Sequence, residues 1–185
     1  MTSKIQIGVM GDGAHIEGGI HFYGDQFYQL SPPAPVDAET LRQAEEKLAK
    51  MPLDFVPEPA AVPNASGLAF GHNRLFVGRQ EDLKALACML MGGGTAAIGQ
   101  IAAATGLGGI GKTQLASEFV HRYGQYFSGG VHWLNFADPA AVSAEVATCS
   151  RPGDGDFELE TRVRMVLSAW QSKLPRLIVF DNCED

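Results

Sequence analysis

Apolar residues alternate with polar ones at Ile5, Ile7 and Val9, the period-2 pattern of a half-buried strand. Gly11 to Gly13 (GDG) reads as a turn, and "IEGGIHFYG" as another short extended piece. Residues 1–30 are therefore expected to form a Gly-rich arm with a small β-hairpin, although two strands alone are marginal in water. Residues 31–74 read as a Pro-rich linker, because "SPPAP" and "MPLDFVPEPAAVPNASG" cannot be regular structure. One helix is predicted within it, over about 38–50. Asp37 is the N-cap candidate, and Leu41, Ala44 and Leu48 form one thin apolar stripe on an otherwise charged surface.

From residue 75 onward the pattern strengthens. "RQEDLKALACMLM" reads as a helix ended by the glycines at 92–94, and "TAAIGQIAAATG" as a buried strand of small residues leading into a Gly-rich turn. "KTQLASEFVHRYGQYF" places Leu115, Phe119 and Val120 on one side of a helix. "GGVHWLNFADP" reads as turn, strand and stop. A variable stretch with the loop "SRPGDGD" follows, then an amphipathic helix that turns Val163, Val166, Leu167 and Trp170 inward. "RLIVFD" is a continuous apolar run of the kind found in a strand covered on both faces. This alternation predicts an α/β fold in which helices cover both faces of a parallel sheet.

The turn between the first of these strands and its helix carries the chemistry. Gly106 to Thr113, "GLGGIGKT", fits G-x-x-x-x-G-K-[ST] at every fixed position. Glycines without Cβ atoms let backbone N–H groups curl round a phosphate, and the following helix points its positive end at the same place. Lys112 would reach the β and γ phosphates and the Thr113 hydroxyl would ligate Mg²⁺. Asp181, at the end of "LIVF", is the expected second metal-side carboxylate. The next residue, Asn182, stands where hydrolysing relatives often carry an acid. An amide cannot accept a proton from an attacking water, and Glu184 would substitute only if the turn swung it inward. Slow hydrolysis is the expectation. Lys112 and Asp181 are the candidate catalytic residues, and Thr113 and Asp181 the metal ligands.

Composition changes this picture little. The chain is 45% hydrophobic and 19% charged with a formal net charge of −7, ordinary for a globular domain and unfavourable for nonspecific contact with nucleic acid or anionic membrane. Cys88, Cys149 and Cys183 form no CxxC pair, which predicts a reduced, cytoplasmic protein. The start "TSKIQIGVMGDG" lacks the apolar core of a signal peptide, and the most apolar stretch is Gly-broken and too short to span a membrane. The five histidines lack zinc-ligand spacing with the cysteines, and no G-x-S-x-G or Cys–His arrangement points to a nucleophile.

Four stretches in fixed order, "FVGRQEDL" (Phe76–Leu83), "GLGGIGKTQLA" (Gly106–Ala116), "GGVHWLNFADP" (Gly129–Pro139) and "LIVFDNCED" (Leu177–Asp185), resemble the NB-ARC branch of the STAND ATPases, particularly bacterial members with tetratricopeptide repeats. The resemblance covers residues 75–185. It implies a partial P-loop NTPase three-layer sandwich, preceded by the Gly-rich short-strand arm and the linker with one helix. It further implies that the core strands lie in the order second–third–first, leaving one side of the first strand bare. Carried over by position, Val77, Gly78 and Arg79 would border adenine and ribose. Gly106, Gly108, Gly109, Ile110, Gly111, Lys112, Thr113 and Gln114 would surround the phosphates of ATP or ADP, with Thr113 and Asp181 on Mg²⁺. Trp133 and Asn135 fall on the second strand, where plain core packing competes with ligand contact.

Such proteins act as nucleotide-dependent switches, closed with ADP and opened by exchange for ATP. They self-associate and continue into helical, winged-helix and repeat domains, so the resemblance implies that these residues are an N-terminal portion. Two further functions stand beside the switch: a non-enzymatic interaction fragment with an inert nucleotide fold, and a stand-alone phosphoryl-transfer ATPase. Direct nucleic-acid contact and membrane association are not expected.

Overall fold

A computed structural model describes residues 5–10, 35–92, 101–104, 111–150 and 154–182. It contains strands β1 (Ile5–Met10), β2 (Ile101–Ala104), β3 (Val131–Asn135) and β4 (Arg176–Asp181), with helices α1 (Ala38–Ala49), α2 (Gln80–Leu90), α3 (Lys112–Tyr123), α4 (Val142–Thr148) and α5 (Leu159–Trp170). The chain is a mixed α/β protein.

The local devices that set these elements are visible in the sequence. Asp37 caps α1 by accepting the Thr40 N–H at 2.9 Å, and Ala44 and Leu48 form its buried stripe. Gly92 adopts a left-handed φ of 61° just after α2, the conformation that glycine supplies at a helix end. Pro139 opens a short 3-10 turn that leads into α4, a helix the sequence reading left inside a variable stretch. With seven residues and two buried side chains, Val146 and Ala147, α4 is too short to declare a helical period.

The sheet order is β2-β1-β4-β3. β3 and β4 are parallel, in register from Val131–Leu177 to Asn135–Asp181. β1 runs antiparallel to β4, from Gln6–Phe180 to Met10–Arg176, and antiparallel to β2, from Ile5–Ala104 to Gly8–Ile101. β2, β3 and β4 therefore share one direction and β1 opposes them. This differs from the expected second–third–first order, because β1 stands between the third and first of those strands. Both of its hydrogen-bonding edges are occupied, so Ile5–Met10 is a central strand rather than one arm of an isolated hairpin. The residues expected to form the other arm lie outside those described.

Alternation along β4 divides the core. Leu177 and Val179 face one way and pack with Leu48, Leu83, Leu90 and Phe119 of α1, α2 and α3. Ile178 and Phe180 face the other way, toward Val146 of α4 and Val163, Val166 and Trp170 of α5. All six residues of β4 are buried, as the unbroken apolar run demands. Each large apolar side chain sequestered here stabilises the fold by roughly 1.5–3 kcal/mol before entropy is counted.

The Pro-rich segment is extended, as its composition predicts, but it is docked along much of its length. The Gly67 N–H donates to the Val131 carbonyl at 2.8 Å, and the Gly67 carbonyl accepts the Trp133 N–H at 3.1 Å, which covers the free edge of β3. Further back, Arg122 of α3 donates to the Pro57 carbonyl at 2.9 Å and the Ala60 N–H donates to the His121 carbonyl at 3.0 Å. Prolines make such a strap stiff and leave its carbonyls available as acceptors.

Entry into β3 depends on two glycines. A Cβ on Gly129 would lie 2.8 Å from the Leu174 carbonyl oxygen. Gly130 has φ 97°, and its Cβ would lie 2.8 Å from the Ala65 carbonyl oxygen. Gly130→Ala should lower unfolding free energy by roughly 2 kcal/mol or more, from left-handed strain and backbone overlap together. Chemical denaturation will read this, and a change within about 0.5 kcal/mol would contradict the packing described.

His132, 4% exposed within β3, supplies a pH dependence. Burial, and then the Arg176 charge, lower its pKa from 6.5 to about 4. The folded value lies below the unfolded one, so the contribution is complete above pH 6.5 and lost as pH falls to about 4. The loss across that window amounts to about 3 kcal/mol. Denaturation at stepped pH should show that slope in the native chain and a flatter one in His132→Phe.

Candidate functional site

Three elements bring the predicted residues to one end of the sheet. Asp181 ends β4 on the same face as Leu177 and Val179, the face covered by α3. Lys112 and Thr113 open α3. The Thr113 hydroxyl donates to Asp181 Oδ1 at 3.4 Å across 68 positions of sequence. Lys112 is 8% exposed, and its charge acts on Asp181.

The Asp181 carboxyl is itself buried, at 5% exposure. Burial raises its pKa. The Asn182 N–H at 3.0 Å, the Thr113 hydroxyl, the Trp133 indole and the Lys112 charge pull against that rise without cancelling it. A carboxylate held in this way is under-compensated, the state that a bound cation relieves. The donor set fits Mg²⁺ in one particular manner. Thr113 and Asp181 offer hard oxygens, and neighbouring ligands in a Mg²⁺ octahedron lie about 3 Å apart. Among the described residues, no group of three or more His, Cys, Asp or Glu side chains could hold an ion. Thr113 and Asp181 would thus give such an ion a partial shell, of the kind completed by water and phosphate oxygens.

The segment before α2 reaches the same place. Gly78 and Arg79 both have left-handed backbones, with φ 76° and 55°. Arg79 bonds Asp82 at 2.7 Å and donates from a terminal nitrogen to the Gly111 carbonyl at 3.4 Å. Asn73 Nδ2 donates to Gln114 Oε1 at 3.1 Å. Val77, 85% exposed, leaves an apolar side chain uncovered beside this junction. Val77, Gly78, Arg79, Gly111, Lys112, Thr113, Gln114 and Asp181 thus gather in one region. Gly106, Gly108, Gly109, Ile110 and Glu184 lie outside the described residues.

Trp133 and Asn135, ambiguous in sequence, both serve this end of the sheet. The Trp133 indole acts to lower the Asp181 pKa, and its ring meets Phe70 edge-on, with centroids 5.3 Å apart. Asn135 Oδ1 accepts from Asn182 Nδ2 at 2.9 Å, which ties Asn182 toward β3 with a left-handed φ of 58°. A cavity of about 420 Å³ opens between Asp181, Asn182, Asn135 and Trp133, roofed by residues 67–70 and flanked by Glu145. Sequence reasoning missed Phe70, Asn73 and Glu145. The first two lie in a Pro-rich stretch that reads identically whether docked or free, and Glu145 lies on the short α4.

Comparison with protein-family models, with curated proteins and with solved structures returns no match. Among the described residues, no helix is long and apolar enough to cross a membrane.

The raised pKa of Asp181 has a testable sign. Its folded value exceeds the unfolded one, so the stabilising contribution belongs to the protonated form and disappears as pH rises through the folded pKa. Above that pKa the ionised carboxylate opposes folding, a cost typical of functional groups. Asp181→Asn should keep or raise the thermal midpoint of the ligand-free chain, while removing any midpoint increase that Mg²⁺ with nucleotide produces. A large fall in midpoint in the ligand-free variant would show that Asp181 is a structural group instead.

Proposed function

We propose that this chain is the ATP- or ADP-binding module of a P-loop NTPase-type three-layer sandwich, used as a cytoplasmic signalling switch of the NB-ARC STAND kind. The single observation that carries the reading is the meeting of Thr113 and Asp181 at 3.4 Å beside the buried Lys112. The threonine that follows Gly-Lys and the aspartate that ends an apolar strand have no packing reason to be paired, whereas Mg²⁺–phosphate chemistry requires both. The exposed Val77 and the Arg79–Gly111 contact support placing the base and ribose on that side.

Hydrolysis is slow in this reading. Asn182 supplies no general base, and its amide is held by Asn135. Nucleotide exchange, rather than turnover, then changes the state of the chain. Self-association and helical, winged-helix and repeat domains are the partners such a switch would use.

Calorimetry with ADP and ATP, with and without Mg²⁺, tests the proposal. Binding should be saturable and strengthened by Mg²⁺, and Lys112→Ala should weaken it at least tenfold, about 1.4 kcal/mol. Absence of binding at millimolar nucleotide would falsify it and leave the interaction-fragment reading standing. The cavity of about 420 Å³ next to Asp181 favours one alternative, a phosphoryl-transfer enzyme with an acceptor site under residues 67–70. Steady multiple turnover of ATP by the purified monomer would select it.

A further inference from the structure

The cavity of about 420 Å³ beside Asp181 has a wall of one electrical kind. Two carboxylates, Glu145 and Asp181, border it, and among the described residues no Lys or Arg does. Phe70 and Trp133 meet edge-on and form an aromatic corner. The volume lies within the range of small-molecule sites. The roof, residues 67–70, is anchored at both ends without any ligand. Gly67 bonds the β3 edge, and the Phe70 carbonyl lies 3.1 Å from His121 Nε2 on α3. The Phe70 ring is nonetheless 44% exposed.

The bonds already made show what the wall has left to offer. Glu145 Oε2 accepts the Asn135 N–H at 3.0 Å, which leaves Oε1 without a partner. Asn182 spends its Nδ2 on Asn135 Oδ1 at 2.9 Å, which leaves its own Oδ1 without one. Both residues are part-buried, and neither oxygen is among the buried unpartnered atoms, so both oxygens reach solvent. The Thr148 hydroxyl is used within α4, on the Glu145 carbonyl at 2.6 Å. The remaining capacity is thus two accessible acceptor oxygens, one of them on a carboxylate, next to aromatic rings. Two carboxylates are too few to cage a metal ion, and no group of three or more ligating side chains exists among the described residues.

We propose that this cavity binds a small organic cation, a planar guanidinium or amidinium on a compact apolar body. Its N–H groups donate to Glu145 Oε1 and Asn182 Oδ1, and its apolar body lies against Phe70 and Trp133. The Asp181 charge adds attraction across the cavity. An ammonium is a strongly hydrated point charge, whereas a guanidinium is weakly hydrated and flat. A carboxylate ligand would meet two like charges, and a neutral carboxamide of the same shape would gain no ionic attraction. The proposal stands on the cavity wall and does not rest on the nucleotide reading.

The test uses the full chain near neutral pH without nucleotide or Mg²⁺, so this proposal and the nucleotide reading can fail separately. Benzamidine and phenylguanidine are the probes, and benzamide is the neutral analogue, followed by saturation-transfer NMR and thermal shift. At least one cation should bind saturably with a Kd of a few millimolar or better, as expected for about nine or ten heavy atoms, and should raise the thermal midpoint. Benzamide should bind at least about tenfold more weakly. Glu145→Gln keeps the shape of the wall but removes its charge, and should weaken the cation at least about tenfold. Thr148→Trp, at an exposed position of the wall, fills the cavity and should abolish binding. If Thr148→Trp does not fold, Glu145→Gln decides alone. Failure of both cations to saturate at about 20 mM, a range set by their size, shows a solvent-filled cavity and overturns the proposal. So does benzamide binding as well as they do. Binding unchanged in either variant overturns it too, because it would be diffuse attraction to a chain of net charge −7.

Discussion

The pairing of β1 with both of its neighbours is the constraint on which the rest depends. β2, which feeds the Gly-rich turn, has β1 as its sheet neighbour, and β4, which carries Asp181, meets β2 only through it. Two strand spacings, about 9.5 Å, therefore separate β2 from β4. The register shows how that gap is bridged. Ile5 lies opposite Ala104 and Gln6 opposite Phe180, so β2 and β4 both finish beside the first residues of β1. At that same end Thr113 lies 3.4 Å from Asp181. β1 fixes the width between β2 and β4.

An opposing strand also resolves a difficulty of hydrogen bonding. Two like-directed strands with a vacant lane between them would each bury an edge of unpaired N–H and C=O groups. β1 satisfies both edges at once. At the far side of the sheet the Gly67 bridge does the same for β3. Segments from the arm and the linker, neither of which reads as core in sequence, thus complete the sheet on which the candidate site is built.

What was legible follows from how local each signal is. α1, α3, α5 and β4 announce themselves through helical spacing or an unbroken apolar run, and Asp37 through its capping chemistry. The meeting of Thr113 with Asp181 was legible because the residue types and spacing that phosphate and Mg²⁺ chemistry would require single out both positions. The alternation at Ile5, Ile7 and Val9 correctly predicts a strand but carries nothing about its partners, which are chosen by vacant edges elsewhere. The docking of residues 52–73 is hidden for the same reason. The bonds are made by backbone carbonyls and a bridging glycine, and prolines look alike against a protein or in water.

The position of β1 sets a timetable. It is the first of the four strands to be synthesised, and one of its two neighbours, β4, is the last. During translation β1 must wait with one edge unsatisfied while everything between them is made, at roughly 5–20 residues per second. Pairings this distant in sequence are slow to form because the loop must close before any contact rewards it. Helices α2 and α3 can collapse on local contacts well before that moment. The width between β2 and Asp181 is fixed only afterwards, so the candidate site is among the last parts of the molecule to acquire its shape.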